Sequence, residues 1–175
     1  MVSYKKIKEI FNFEKGELQS TKNTPGDYDF ITAAEDWKTH ENYTHECEAL
    51  IFAHGASGSL GRTHYVDGKF IASDLTYVIT PKKKYKDKID LYFYYIYFNS
   101  IKEIVINEIA TGTSKLAINQ TNFGNYEVKL PDLKEQKKIN KIIKKVDSLI
   151  KIYDDNLVEA YKLKKSIIYD NINHN

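Results

Sequence analysis

The chain has 175 residues, of which 42% are hydrophobic and 29% charged, a balance typical of globular rather than disordered proteins. With 26 basic and 24 acidic residues its net charge is only +2, so overall charge alone does not indicate a nucleic-acid partner. The single cysteine, Cys47, excludes an internal disulfide framework, and no apolar run reaches the roughly 20 residues of a membrane span, so we expect a cytoplasmic protein without membrane contact.

The first 130 residues predict a mixture of strands, turns and helix. Ala49–Ala53 is a short apolar run typical of a buried strand, and a glycine-rich segment follows it. Residues 65–70 predict a β-hairpin, because Asp67-Gly68 suits a type I′ turn. Leu75–Thr80 predicts a further strand.

Residues 89–98 are apolar or aromatic at nearly every position, a pattern that periodicity alone cannot assign to helix or strand. We favour a helix, because the apolar pattern continues through Ile101, Ile104 and Val105. Tyr126–Leu130 alternates between polar and apolar residues and predicts a last strand.

Residues 132–172 contain neither Gly nor Pro and carry an apolar repeat that alternates steps of four and three. This repeat predicts one long helix that forms a coiled coil, about 60 Å long at about 1.5 Å per residue. We expect a partner helix, in a dimer or another complex, to pack on Ile139, Ile143, Val146, Ile150, Tyr153, Leu157, Ala160 and Ile167. A globular unit of about 130 residues spans only about 30 Å and cannot cover such a stripe. A break at Tyr153–Asn156, giving a helical hairpin, is the alternative.

The predicted fold class is therefore α+β, a mixed α/β domain over residues 1–131 followed by a long helix over residues 132–175. Short motifs occur along this arrangement in the order Phe13–Leu18, Glu48–Ile51, Gly55–Gly58, Gly68–Asp74, Thr111–Thr113 and Leu130–Ile139. Together they resemble one target-recognition domain and one spacer helix of a type I restriction-modification specificity subunit. The last motif is similar to that family's P-x-L-x-E-Q-x-x-I junction between domain and helix.

The resemblance implies a non-catalytic subunit without a cofactor. Such a subunit binds double-stranded DNA and docks the methyltransferase subunit, and in some systems the restriction subunit, so that DNA methylation is directed to its site. The family usually has two recognition domains held apart by antiparallel helices, whereas this chain has one of each and looks like a half-subunit. We expect two copies to form an antiparallel homodimer that reads an interrupted DNA site.

Two alternatives stay open. One is an interaction protein or mimic that binds restriction-modification subunits without DNA specificity. The other is a C-terminal specificity piece of a fused methyltransferase, which neighbouring coding sequence would reveal.

Three polar segments are candidates for DNA contact. Residues 55–62 lack the spacing of a P-loop but offer hydroxyls and an arginine for phosphates or a guanine edge, with a plain connecting loop as the alternative. The basic run at residues 82–84 suits phosphates or solvent equally, and residues 113–120 offer Asn and Gln for adenine or for helix capping. The candidate residues are His54, Ser57, Ser59, Arg62, His64, Lys82, Lys83, Lys84, Thr113, Ser114, Lys115, Asn119 and Gln120.

A catalytic or metal site is not predicted. His45, Cys47, His54 and His64 match no metal-ligand spacing, and a single cysteine gives little support for a Cys/His pair. The Asn/Asp-Pro-Pro-Tyr/Phe motif of adenine methyltransferases is absent, so methylation would need another chain.

Overall fold

The computed structural model describes residues 3–56 and 58–173, apart from the side chains of residues 170, 171 and 173. The strands are β1 (Ser3–Lys6), β2 (Phe11–Lys15), β3 (Tyr28–Ile31), β4 (Lys38–His40), β5 (His45–Ala53), β6 (Thr63–Ala72), β7 (Thr76–Pro81) and β8 (Glu127–Leu130). The α-helices are α1 (Ile7–Ile10), α2 (Leu91–Ser100), α3 (Lys102–Ile109), α4 (Gln120–Asn125) and α5 (Leu133–Asn173), with 3-10 turns at Ser20–Lys22 and Lys83–Tyr85. The chain divides into two compact units, Met1–Gln136 and Lys137–Asn175, and the predicted α+β fold with a long C-terminal helix is confirmed.

The first unit is built on a curved sheet with the strand order β2-β7-β5-β6-β3-β4. β3 lies parallel to β6, and the other neighbouring strands are antiparallel. One face of the sheet buries a cluster formed by Ile31, Ala49, Ile51, Val66, Phe70, Ala72 and Val78. The other face contributes Phe52, whose ring lies 6.1 Å from Phe98 of α2 and 4.6 Å from Phe123 of α4. Both faces of β5 are therefore covered, which explains why Ala49–Ala53 is a continuous apolar run.

The predicted hairpin turn at Asp67-Gly68 is wrong, because both residues lie inside β6. The ladder between β5 and β6 passes through them without a shift in register, with Glu48 opposite Asp67 and Cys47 opposite Gly68. The connection between these two strands is made by residues 54–62 instead. Gly68 has a φ of +132°, which side-chain-bearing residues rarely adopt, so glycine allows the strand itself to bend.

The bend brings both ends of β6 close to Ala53. The amide of Ala53 donates to the carbonyl of Arg62, just before β6, at 2.8 Å. Ala53 also pairs with Thr76, which follows β6 through a turn in which Thr76 donates to Ser73. A straight strand of 10 residues would span about 33 Å, more than these short connections bridge. β3 pairs with the end of β6. Because that end lies near the start of β6, the segment that follows β3 also lies near the start of β6.

The remaining predicted elements of the first unit are confirmed with small differences at their ends. β5 contains the first predicted strand, whereas β7 and β8 each begin one residue later than predicted, and β8 pairs with β1. The aromatic segment is helix α2, capped by Asp90, whose carboxylate accepts from the amide of Phe93 at 3.2 Å. The helical pattern does not continue unbroken, because Ile101 leaves helical geometry and α3 begins after it.

The predicted long helix is confirmed as α5, which has 41 residues and continues through Tyr153–Asn156 without a break. Its length at about 1.5 Å per residue is about 60 Å. Of the predicted seam residues, Ile139 and Ile143 are half-buried, and the others are exposed, namely Val146, Ile150, Tyr153, Leu157, Ala160 and Ile167.

Gln136 holds the start of α5 in the first unit. Its side chain is completely buried, and its Oε1 accepts from the amide of Asp90 at 2.8 Å. Its Nε2 donates to the carbonyls of Lys88 and Pro131 at 2.9 and 2.8 Å. The glutamine of the junction motif is therefore a structural residue with all of its polar groups satisfied.

Candidate nucleic-acid interface

The connection from residue 54 to residue 62, here called the β5–β6 loop, is held by main-chain bonds among its described residues, 54–56 and 58–62. The amide of Ser59 donates to Ala56 at 3.0 Å, and that of Gly61 donates to Ala53 at 2.8 Å. Gly61 has a φ of +76°, and a Cβ there would lie 2.9 Å from Cγ of Lys102, so glycine also permits close approach to α3. Ser57, a predicted DNA contact, lies outside the described residues.

Arg62 joins two loops of the first unit. Its Nη1 donates to the carbonyl of Ala33 and to Oγ of Ser59, both at 3.0 Å, and its Nη2 lies 3.8 Å from Oε2 of Glu35. The predicted contact of Arg62 with DNA must therefore compete with bonds inside the protein. The same bonds use the hydroxyl of Ser59, another predicted contact.

His64 makes the second connection between these loops. Nε1 of Trp37 donates to Nδ1 of His64 at 3.2 Å, and Nε2 of His64 lies 2.8 Å from the carbonyl of Ala34. Because Nδ1 accepts, the proton of the neutral ring is on Nε2 and is donated to Ala34. Burial lowers the pKa of His64 and the charge of Arg62 lowers it further, although the bond to Ala34 acts in the opposite direction.

His54, the first residue of the β5–β6 loop, anchors the loop to the residues around β7. Its ring stacks on Tyr77 with centroids 4.3 Å apart, and its Nε2 lies 3.2 Å from the carbonyl of Asp74. Burial lowers the pKa of this histidine too. Its main-chain carbonyl accepts from the amide of Ile118 at 2.8 Å, which connects the β5–β6 loop to a second predicted segment.

The first half of that second segment belongs to a polar loop, residues 111–117, which is closed by pairing between Thr111 and Ala117. Thr113, Ser114 and Lys115 are exposed at its tip, next to Gly112 with a φ of +116°. A cavity of about 330 Å³ separates the segment from the β5–β6 loop and α3, lined by Gly58, Leu60, Lys102, Glu103, Ile106, Ser114 and Leu116. The structure thus brings two of the three predicted DNA-contacting segments together.

Asn119 and Gln120 stand at the start of α4. Oδ1 of Asn119 accepts from the amide of Asn122 at 2.8 Å, so the capping role that the sequence left open is present. Gln120 is exposed in the first turn of the helix. Of the two amides, only that of Gln120 lacks a capping role.

The lysine run lies at the other end of β7 from the β5–β6 loop. Thr76 at the start of β7 is beside Ala53, whereas Pro81 at its end pairs with Phe11, about 20 Å away along the strand. Lys82 follows and bonds through both its amide and its Nζ to the segment around α1, to the carbonyls of Ile10 and Lys8. Lys83 and Lys84 are exposed, so they form a positive surface separate from the two loops.

Sequence patterns missed two contributors to this region. Asn99 of α2 holds the first residue of β6, accepting from the amide of Thr63 at 3.1 Å and donating to its carbonyl at 2.8 Å. Residues 33–37, here called the β3–β4 loop, contact Arg62 and His64 mainly through main-chain carbonyls. Carbonyl acceptors leave no pattern in the side chains, so no sequence motif could have indicated this contact.

Among the residues that the structure describes, His, Cys, Asp and Glu side chains form no group of three or more that could hold a metal ion. Cys47 is half-buried, and burial, followed by the charge of Asp67, raises the pKa of its thiol. A thiol of this kind is poorly ionised and a weak nucleophile. Over the same residues, none of the helices combines the length and apolar character needed to cross a membrane.

Comparison with known proteins identifies the family. The family model of the type I restriction modification DNA specificity domain matches residues 2–160. The chain belongs to this family. Membership confirms the resemblance inferred from the six short motifs and their order, and it associates the chain with DNA specificity and not with catalysis.

Individual members of the family agree with this result. The chain is 34% identical over 86 residues to a protein of Methanocaldococcus jannaschii described as the specificity subunit of the type I restriction enzyme MjaX, covering 49% of this chain and 20% of that protein. The crystal structure of a type I restriction-modification S subunit from M. genitalium has a TM-score of 0.70 at 20% identity, over 85% of this chain and 39% of that one.

Two further solved structures share the fold. A chain from a study of complex assembly and conformational transition of the type I R-M system has a TM-score of 0.71 at 14% identity, over 97% of this chain and 45% of that one. The HsdS subunit of Thermoanaerobacter tengcongensis has a TM-score of 0.61 at 15% identity, over 85% and 38%. The specificity-family member described here therefore spans less than half the length of these relatives.

Proposed function

We propose that this chain is a sequence-specific DNA-recognition subunit of a restriction-modification or modification system. The first unit contacts one half of an interrupted DNA site, and α5 pairs antiparallel with α5 of a second copy. The dimer docks a methyltransferase subunit and, where the system restricts DNA, a restriction subunit. Family membership supports the DNA specificity, and the exposed apolar row of α5 carries the proposal of pairing.

The pairing follows from the apolar row. An unbroken helix of 41 residues exposes Val146, Ile150 and Leu157 on one side, at steps that keep them on a single seam. Each side chain left in water forgoes about 1.5–3 kcal/mol of burial, so pairing with a matching helix is strongly favoured over the exposed single helix.

Antiparallel pairing satisfies two requirements together. A two-fold axis lets two identical seams contact each other as one self-complementary surface. Each recognition unit precedes its own helix in the chain, so antiparallel helices hold the two units at opposite ends of the pair. Two identical half-sites separated by a fixed number of base pairs are the expected target.

The DNA contact is assigned to the surface around the β5–β6 loop and residues 111–117. The exposed groups there include hydroxyls, an amide and Lys115, which suit phosphates and base edges, together with the carboxylates of Glu35 and Glu103. Lys83 and Lys84 supply a second positive surface for the backbone. The part of the solved relatives that this chain does not cover is supplied, in this proposal, by the second copy.

The decisive experiment is reconstitution with a type I methyltransferase subunit and mapping of the methylated adenines. We expect methylation in an interrupted motif whose two halves are related by two-fold symmetry. Binding of the methyltransferase subunit without any sequence preference would instead indicate a mimic, and an asymmetric motif would contradict the homodimer.

Sedimentation equilibrium of the purified chain tests the pairing independently. We expect a dimer at micromolar concentration. A stable monomer under these conditions would contradict pairing between two copies, and recovery of assembly upon addition of a separate specificity helix would assign the seam to a different chain.

A further inference from the structure

The β3–β4 loop is fastened to the β5–β6 region at three points. Arg62 donates to the carbonyl of Ala33 at 3.0 Å, His64 lies 2.8 Å from the carbonyl of Ala34, and Trp37 donates to His64 at 3.2 Å. These contacts span about thirty positions in sequence, so they hold two distant segments as one surface. Any duplex that contacts one loop at this place must approach the other.

The fastened loop presents Glu35 to solvent. Its side chain is 87% exposed, with Oε2 3.8 Å from Nη2 of Arg62, and Trp37 of the same loop is 38% exposed. Arg62, in contrast, is only 26% exposed and is occupied within the protein. The arginine therefore holds the surface, and the glutamate is displayed on it.

Resting on the proposed function, we infer that the β3–β4 loop is a second base-contacting element, in which Glu35 accepts a hydrogen bond from an exocyclic amino group in the major groove. Arg62 and His64 are positioning residues for this contact. Cytosine N4 is the favoured donor, because Glu and Asp side chains pair with cytosine in the major groove by accepting from this amino group.

The charge of Glu35 determines what it can contact. A carboxylate repels phosphate oxygens, so the sugar-phosphate backbone is excluded as its partner. The amino groups of bases are donors and lack that repulsion. The guanidinium of Arg62, 3.8 Å away, offsets part of the negative charge as the duplex approaches.

The test compares Glu35→Gln with Glu46→Gln in binding selections on randomised double-stranded DNA, using the full chain assembled with its methyltransferase subunit. Glu46 is the matched control, since it is 63% exposed and lies 4.0 Å from Nζ of Lys69 at the opposite end of β5. We expect Glu35→Ala, which removes the acceptor, to lower discrimination at one base position by about 5- to 150-fold, and E35Q, which keeps an oxygen acceptor but loses the charge, to lower it less. E46Q should leave every position unchanged.

Two further variants test the positioning role. His64→Ala should relax the same base position as E35Q, and His64→Gln, which retains a donor for Ala34, should retain more of the preference. Identical preferences in Glu35→Ala and the wild type, or tighter binding at all sequences without a change at any position, would overturn the inference while leaving the proposed function intact. Absence of any sequence preference in the wild type would overturn both.

Discussion

Gln136 shows at the residue scale how a short motif gives a precise geometry. Its amide satisfies one donor and two acceptors in a place from which water is excluded, because the side chain is completely buried. We predict that Gln136→Leu lowers the free energy of unfolding by about 3 kcal/mol, since it leaves buried main-chain groups without partners. Urea denaturation followed by circular dichroism measures the change.

Gln19→Leu is the matched control for this substitution. Gln19 is exposed, so the same change there should alter the free energy of unfolding by less than about 0.5 kcal/mol. Equal effects of the two substitutions would show that the bonds of Gln136 contribute nothing beyond the change of side chain.

His64 should make stability depend on pH. Burial lowers its pKa in the folded chain below the ordinary 6.5. At a pH between the folded and the unfolded pKa, the unfolded chain therefore binds more protons than the folded chain. The stability contributed by the neutral ring is complete above pH 6.5 and is lost as the pH falls through the folded pKa. His54, whose pKa is also lowered, acts in the same direction.

An NMR titration of the His64 ring should therefore show a pKa below 6.5, and His64→Gln should flatten the pH dependence of the urea midpoint. Because His54 remains, the variant should lose only part of the dependence. A ring that titrates above 6.5 would contradict the neutral tautomer inferred from the bond with Trp37.

At the scale of elements, the sequence predicted structures whose pattern is local. The repeat in α5 and the apolar run in β5 are complete within the segments themselves, so no distant contact was needed to recognise them. The prediction of a turn at Asp67-Gly68 was wrong because the structure there depends on a distant contact. The turn preference of this dipeptide is overruled by an antiparallel partner about twenty residues away, which continues the ladder through both residues.

The seam of α5 gives a prediction with an internal control. Ile150 lies on the predicted seam and Ile152 lies off it, yet their exposures are 53% and 54%. We expect Ile150→Lys to weaken dimerisation at least about 100-fold, because a two-fold dimer loses the burial of both isoleucines. Ile152→Lys should have little effect.

Analytical ultracentrifugation over a range of concentrations measures both variants. Equal weakening by the two lysines would mean that dimerisation, if present, does not use the predicted seam. The fold of the first unit should be retained in both, as circular dichroism and near-ultraviolet spectra would show.

At the scale of the whole molecule, the separation of the lysine run from the loops predicts two kinds of contribution to binding. Lys83 and Lys84 are exposed at the far end of β7 and carry charge without base-specific geometry. We expect Lys83→Gln combined with Lys84→Gln to reduce the slope of log K against log salt concentration by up to about 1.8, and to leave the base preference unchanged.

Binding titrations at several salt concentrations, with Lys22→Gln as a control at an exposed lysine elsewhere, measure this slope. An unchanged slope in the double variant would remove the lysine run from the DNA interface. A weaker association with the methyltransferase subunit instead would assign it to a protein partner.

The candidate interface was predictable only in part. The hydroxyls and lysine of residues 113–115 are exposed as their composition suggested, whereas Arg62 and His64 are engaged with the β3–β4 loop. Those engagements depend on the curvature of β6, which arises from pairing across the whole sheet. Gly68 permits this bend, but the dipeptide Asp67-Gly68 alone does not distinguish a bend within a strand from a hairpin turn.

The bonds that fasten the β3–β4 loop have a consequence for how new targets can arise. Those of Arg62 and His64 end on the carbonyl oxygens of Ala33 and Ala34, which every amino acid possesses. Residues 35 and 36 can therefore be exchanged without loss of these two main-chain bonds, although exchange of Glu35 removes its 3.8 Å ion pair with Arg62. Under the proposed function, substitutions at residues 35 and 36 change the contacts with DNA, whereas the bonds from Arg62 and His64 to the main chain keep the loop in position.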